Sequence, residues 1–202
     1  MTRDEAYQLM CEMIQNQNLR KHGVAVEAIM RSLCKYLRER EIASASPDND
    51  EKLAHDFDEE EWAIVGLMHD ADYELIGKDP ARHTVVTAEK LRPLGVSERI
   101  ISAIRAHHDG LTERRENLLE SAVYAADELS GLITACALVQ PDKKLSAVTV
   151  EGVMKKFKQA SFAAGARRDQ IMACESELNI PLEEFVGIAL KSMQGISEEL
   201  GL

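Results

Sequence analysis

What the sequence lacks narrows its class before any motif is read. It has no uninterrupted run of about 18 apolar residues, the length that a bilayer-spanning helix needs. Met1-Thr2-Arg3-Asp4-Glu5 leads into an amphipathic stretch with no apolar signal core. These two absences predict a cytoplasmic chain with no membrane partner. Basic residues number 24 against 35 acidic ones, a formal charge of −11. That balance argues against duplex nucleic acid or an anionic membrane, although a local basic pocket for a short single strand or a small phosphorylated molecule remains compatible with it. The four cysteines, Cys11, Cys34, Cys136 and Cys174, show neither Cys-x-x-Cys spacing nor a small-domain disulfide framework, and they read as reduced, largely buried thiols. Strand-like alternation of useful length and internal repeats are also missing.

What is present is helical periodicity in a chain of 202 residues that is 45% hydrophobic. The length suits one substantial core, and the pattern predicts an all-α, single-domain, multi-helix bundle with its functional core at about 20–140 and further helices over 148–200. Apolar positions recur at helical spacing over about 4–15 and 19–40. Asp58 with Glu61 reads as a helix cap, and Trp62, Ile64, Val65, Leu67 and Met68 then make a helix apolar on several sides, hence central. Asp79-Pro80 predicts another helix start, Ser97-Glu98 the next, and 117–139 a long apolar helix. Helices over about 168–178 and 182–200 complete the chain.

Chemistry concentrates in the histidines. At the C-terminal end of the central apolar helix stands His69-Asp70. His22 precedes this pair, and His83, the doublet His107-His108 and Asp127 follow it, so five of six histidines form one ordered series. Asp127 sits among apolar and small residues, where an uncompensated carboxylate would cost several kcal/mol, so it needs a cation. The second His-Asp pair, His55-Asp56, lies after a polar loop and is read as a decoy. Any one buried histidine is more often a hydrogen-bonded core residue than a ligand; the ordered set points to metal.

The series resembles the HD superfamily of metal-dependent phosphohydrolases over roughly 20–132, with small stand-alone HD hydrolases the nearest likeness. The resemblance implies that His22, His69, Asp70 and Asp127 ligate one ion, and that His83, His107 and His108 match the positions where members with two or more ions gain ligands, with Asp70 bridging. Two ions are favoured over one; the alternative is that these three histidines contact substrate or support other ligands. Nitrogen and oxygen donors without thiolate suit Mn, Fe, Co, Ni or Zn, and Mg where carboxylates dominate. Asp70 and His69 are the expected catalytic residues, with Asp70 also able to orient the attacking water. Lys143, Lys144 and Tyr73 are candidate substrate contacts, while Arg20, Lys21, Lys155, Lys156, Lys158, Arg167 and Arg168 read mainly as solvated surface charges.

The implied function is hydrolysis of a phosphomonoester or phosphodiester, of a nucleotide or small phosphorylated metabolite. The alternatives are a di-iron oxygenase on a similar ligand set, or a non-catalytic metal- or nucleotide-sensing module. No Gly-Tyr-Pro motif follows the His-Asp pair and no synthetase domain accompanies it, so neither the cyclic-dinucleotide phosphodiesterase subtype nor the alarmone enzymes is indicated.

Overall fold

A computed structural model describes residues 1–44, 56–77, 79, 81–110 and 114–202; His55 of the second His-Asp pair lies outside them. The described residues are helical, with no strand among them. Helix α1 (Arg3–Met13) starts at a capping box in which Thr2 and Glu5 satisfy each other's backbone donors, and it buries Ala6, Met10 and Met13. Helix α2 (Gln17–Ser44) is 28 residues long, about 42 Å at 1.5 Å per residue. Helix α3 (Glu59–Met68) is capped by Asp58, whose carboxylate accepts from the backbone of Glu60 and Glu61. Every residue from Trp62 to Met68 is buried, so α3 is the axis around which the other helices pack.

Two glycines set the distance between α2 and α3. A Cβ at Gly66 would fall 2.9 Å from the backbone of Glu27, and one at Gly23 would fall 2.8 Å from the carbonyl oxygen of Leu67. Only a missing side chain on each helix allows backbones this near. His22 adjoins one glycine and His69 follows the other by three residues, so the close crossing brings these imidazoles together.

Turns over 71–77 lead away from the α3 terminus, and helix α4 begins at Val85 and runs to Leu91. This corrects the start expected at Asp79-Pro80. Asp79 accepts from the backbone of Ala81 and Arg82, making a turn there; Pro80 lies outside the described residues. Thr84 then takes a left-handed conformation, φ 65°, which breaks any continuous helix through His83. Left-handed backbone costs an L-residue on the order of 1–2 kcal/mol. Buried Asp72 offsets part of that cost by accepting from the amide of Thr87 at 3.1 Å.

Helix α5 (Glu98–Ala106), capped by Ser97, ends at His107. Helix α6 (Leu118–Leu138), capped by Asn117, is apolar on most sides and carries Asp127 at its middle. Helix α7 (Val150–Phe157) follows a 3-10 turn at Leu145–Ala147. The helix expected over 168–178 is two short ones, α8 (Arg168–Ile171) and α9 (Ala173–Ser176). The final helix is likewise divided, into α10 (Leu182–Gly195) and α11 (Ser197–Leu200), because Ile196 leaves helical geometry just after Gly195. One apolar core runs from Ala6 to Leu200 and includes Cys34, Cys136 and Cys174; all four cysteines are free thiols. No helix among the described residues is long and apolar enough to cross a membrane.

Candidate metal centre

Five segments deliver the site. His22 comes from the first turns of α2, His69 and Asp70 from the end of α3, His83 from the turn before α4, His107 from the end of α5, and Asp127 from α6. The side chains form two groups sharing one carboxylate. In the first, the Nε2 atoms of His22 and His69 are 3.1 Å apart, with Asp127 Oδ1 at 3.0 Å from His22 and 3.5 Å from His69. Asp70 Oδ2 completes it, 3.7 Å from both nitrogens. In the second, the Nε2 atoms of His83 and His107 are 3.0 Å apart, with Asp70 Oδ1 at 3.3 and 3.4 Å. The donor atoms of His22, His69 and Asp70, and those of Asp70, His83 and His107, each lie within 4.8 Å of one another.

The protons of these imidazoles are fixed by what stands behind them. His69 Nδ1–H donates to the carbonyl of Gly66 at 2.7 Å, and His107 Nδ1–H to that of Ile104 at 2.5 Å. His83 Nδ1–H donates to Asp72 at 3.0 Å. Ser130 gives its only hydroxyl proton to the carbonyl of Asp127, at 2.9 Å, so its oxygen accepts from His22 Nδ1–H at 3.0 Å. A neutral imidazole with Nδ1 protonated bears a lone pair on Nε2. With all four rings neutral, four lone pairs would meet in two facing pairs at hydrogen-bond distance. Such pairs repel unless a cation lies between or beside them, and with two carboxylates the donor set fits divalent metal.

The charge balance agrees. Burial disfavours a charged His69, but Asp70 and Asp127 more than offset it and raise its pKa to about 9 in the metal-free chain. His83 reaches about 9 in the same way, with burial opposed by Asp70 and Asp72. Burial opposes ionisation of Asp70 and Asp127 as well, yet the surrounding histidines hold both carboxyls below their ordinary range. A proton thus takes the place that a metal cation would fill.

A cavity of about 500 Å³ opens over the site, bordered by Tyr73, Ile76, His108, Glu128, Arg167 and Gln170. His108 lies outside both groups. Its ring is 5.1 Å from that of His83, its Nδ1 is buried with no hydrogen-bond partner among the described residues, and burial lowers its pKa with help from His83 and His107. The ring of Tyr73 stands 6.0 Å from that of His83. Lys143 and Lys144 are exposed beyond the far end of α6. Leu138, where that helix ends, is eleven residues past Asp127, about 16 Å along the axis.

Several contributors were not singled out from sequence. Asp72, two residues past the His-Asp pair, is fully buried and bonded to His83. Ser130 carries a signal, a hydroxyl three residues after a ligand on one helix, where it can reach that residue's carbonyl. Arg167, a surface charge by sequence, borders the cavity, pairs with Asp109 at 2.6 Å and Asp169 at 2.7 Å, and gives its backbone N–H to Glu128. Burial and the nearby Asp127 raise Glu128 to about 7. Gln170 fastens α8 to the site through the carbonyls of His107 and Tyr124.

Comparison with known proteins agrees with this geometry. Segments of 71 residues align with Ribonuclease Y of Geobacter sulfurreducens and of Geobacter metallireducens at 41% identity, and with that of Pelobacter propionicus at 40%. Each alignment covers 33% of this chain and 12% of the relative, so the chain spans about an eighth of the length of those proteins. No solved structure gives a significant match. The HD domain matches residues 19–132, a span that contains all six converging side chains. That match spans more than half of the chain, and the chain belongs to the HD domain family.

Proposed function

We propose that the chain is a metal-dependent phosphohydrolase that cleaves a phosphomonoester or phosphodiester with activated water. The observation that carries this reading is the two-sided engagement of Asp70, whose Oδ1 faces His83 and His107 while Oδ2 faces His22 and His69. One carboxylate joining two nitrogen pairs is suited to two divalent ions. Ions held there supply Lewis acidity, lowering the pKa of water toward about 7 and polarising a phosphoryl oxygen.

The residues themselves contribute arrangement. Gly66, Ile104, Asp72 and Ser130 each hold an Nδ1 and orient the four rings so that every Nε2 faces the site, at no reorganisation cost during reaction. Asp70 and Asp127 balance positive charge, and Asp70 lies where it can orient the attacking water. Arg167 offers a planar cation at the cavity rim, and its fork matches two phosphate oxygens once it leaves Asp109 or Asp169. The water oxygen bonds to phosphorus, the ester P–O bond breaks, and the departing oxygen takes up a proton.

The likeness to Ribonuclease Y favours RNA as the source of the phosphodiester, and the charge of −11 favours a single strand or an end over a duplex. Elemental analysis after reconstitution with Mn, Fe, Co, Ni, Zn or Mg, followed by a panel of phosphomonoesters, phosphodiesters and single-stranded RNA, tests the proposal. The expected result is two ions per chain and release of phosphate or mononucleotide. Failure to retain any divalent ion overturns it. Iron loading with O₂ consumption and no phosphoester cleavage points to an oxygenase instead.

A further inference from the structure

A second cavity of about 520 Å³ lies along the groove between α2 and α6. From α2 it takes Asn18, Lys21 and Ala25, and from α6 Thr134 and Leu138, residues spaced by three, four or seven and so on one face of each helix. Leu202 closes its apolar side. His22 and Gly131 line both this groove and the metal cavity, so the two spaces adjoin. At Gly131 no atom of the described residues beyond its own helix lies within 4 Å of where a Cβ would stand. The missing side chain leaves an open saddle between them.

The far space has its own chemistry. The Lys21 ammonium lies over Gly201, where an added Cβ would be 2.8 Å from Nζ. Lys21 is exposed and has no hydrogen bond or ion pair among the described residues. In a chain carrying 35 acidic residues, a cation with no partner among the described residues, lining a groove that adjoins the metal ligands, favours an anion there. Ala25, Leu138 and Leu202 offer apolar contact for a flat ring, and Asn18 and Thr134 offer polar atoms for its edge. From Asp127 to Leu138 the α6 wall runs about 16 Å, far more than one phosphate occupies.

We infer that this groove seats the nucleoside beyond the scissile phosphodiester, with Lys21 holding the next phosphate, so that the substrate is a dinucleotide or the end of a single strand. The inference rests on the phosphohydrolase reading and deepens it. Gly131 is the saddle across which the strand passes, and Thr134 stands one helical turn beyond.

The test uses the metal-loaded chain and two variants, Lys21→Glu and Thr134→Trp, both at positions not fully buried, with thermal melting to verify the fold. Binding is measured by calorimetry with pApA whose scissile oxygen is replaced by methylene, and hydrolysis with pApA against bis-(p-nitrophenyl) phosphate. Each variant should weaken binding of the uncleavable dinucleotide about tenfold and lower kcat/KM for pApA about tenfold relative to the small diester. Unaltered dinucleotide binding in both variants overturns the inference, as does an equal loss on both substrates or a parent chain that does not bind the dinucleotide. Variant-sensitive binding without hydrolysis of either diester supports the groove and overturns the phosphohydrolase reading alone.

Discussion

Ser130 accepts a hydrogen bond from His22 Nδ1 at 3.0 Å while donating its own proton to the Asp127 carbonyl at 2.9 Å. This one hydroxyl sets which nitrogen of His22 is bare and links two ligands carried by separate helices. Removing it frees His22 to protonate at either nitrogen. Ser130→Ala should therefore lower metal affinity about 10–100-fold, the usual cost of losing a ligand's supporting partner, while leaving helix content intact. Calorimetric metal titration of the variant measures this; parent-like affinity would show that the hydroxyl does not fix the tautomer.

Much of this centre was legible in the sequence because helical spacing confines where a side chain can point. His22, His69 and Asp127 each sit on a periodic apolar segment, so their inward direction followed from their neighbours. The His107-His108 doublet was harder, since successive helical residues diverge by about 100°. His107 turns into the cluster and His108 lines the cavity wall. The start of α4 is not legible locally, because Pro80 resembles a first-turn proline and nothing nearby indicates that Thr84 is left-handed. The pairing of Gly23 with Gly66 was beyond local pattern altogether. Each is an isolated helical glycine whose reason lies on the other helix.

Metal stoichiometry separates the two halves of the centre. His83 contributes only beside Asp70 Oδ1 and His107, whereas Asp70 touches both nitrogen pairs. His83→Ala should cost one of two bound ions, and Asp70→Ala both, with His69→Ala removing at least the ion beside Asp127. His55→Ala, at the other His-Asp pair, is expected from sequence to leave metal and activity nearly intact. Elemental analysis of the four variants decides it. Equal loss in His83→Ala and Asp70→Ala would mean one ion instead of two.

The metal-free chain should lose stability as pH rises from about 6.5 to about 9. His69 and His83 are each raised to about 9 in the folded state, above the ordinary 6.5. A raised pKa means that the folded state binds the proton more tightly than the unfolded chain does, so this contribution is complete below 6.5 and disappears on passing 9. Metal must displace those protons, so its affinity should climb through the same window. Thermal melting after chelation, and calorimetry in buffers of different ionisation enthalpy, test both halves. A flat melting profile between these pH values, with no proton release on metal binding, would contradict the assignment.

Replacing Gly66 by alanine opposes two effects whose magnitudes decide the sign. Alanine favours a helix interior over glycine by up to about 1 kcal/mol. Against this, the new Cβ would meet Glu27 backbone atoms and Met30 Cγ, all at 2.9 Å. The backbone cannot swing aside as a side-chain tip can, and overpacking of this kind costs about 1–3 kcal/mol. The expected net result is a less stable chain, with α2 displaced from α3 and the His22–His69 pair opened, so metal affinity should fall along with the melting temperature. Gly187→Ala supplies the contrast, since its nearest neighbour, Val150 Cγ2, is at an ordinary 3.9 Å and propensity should win. Melting curves and metal titrations of both variants provide the measurement; a stabilised Gly66→Ala chain with parent-like metal affinity would mean that the close crossing is not what holds the two imidazoles together.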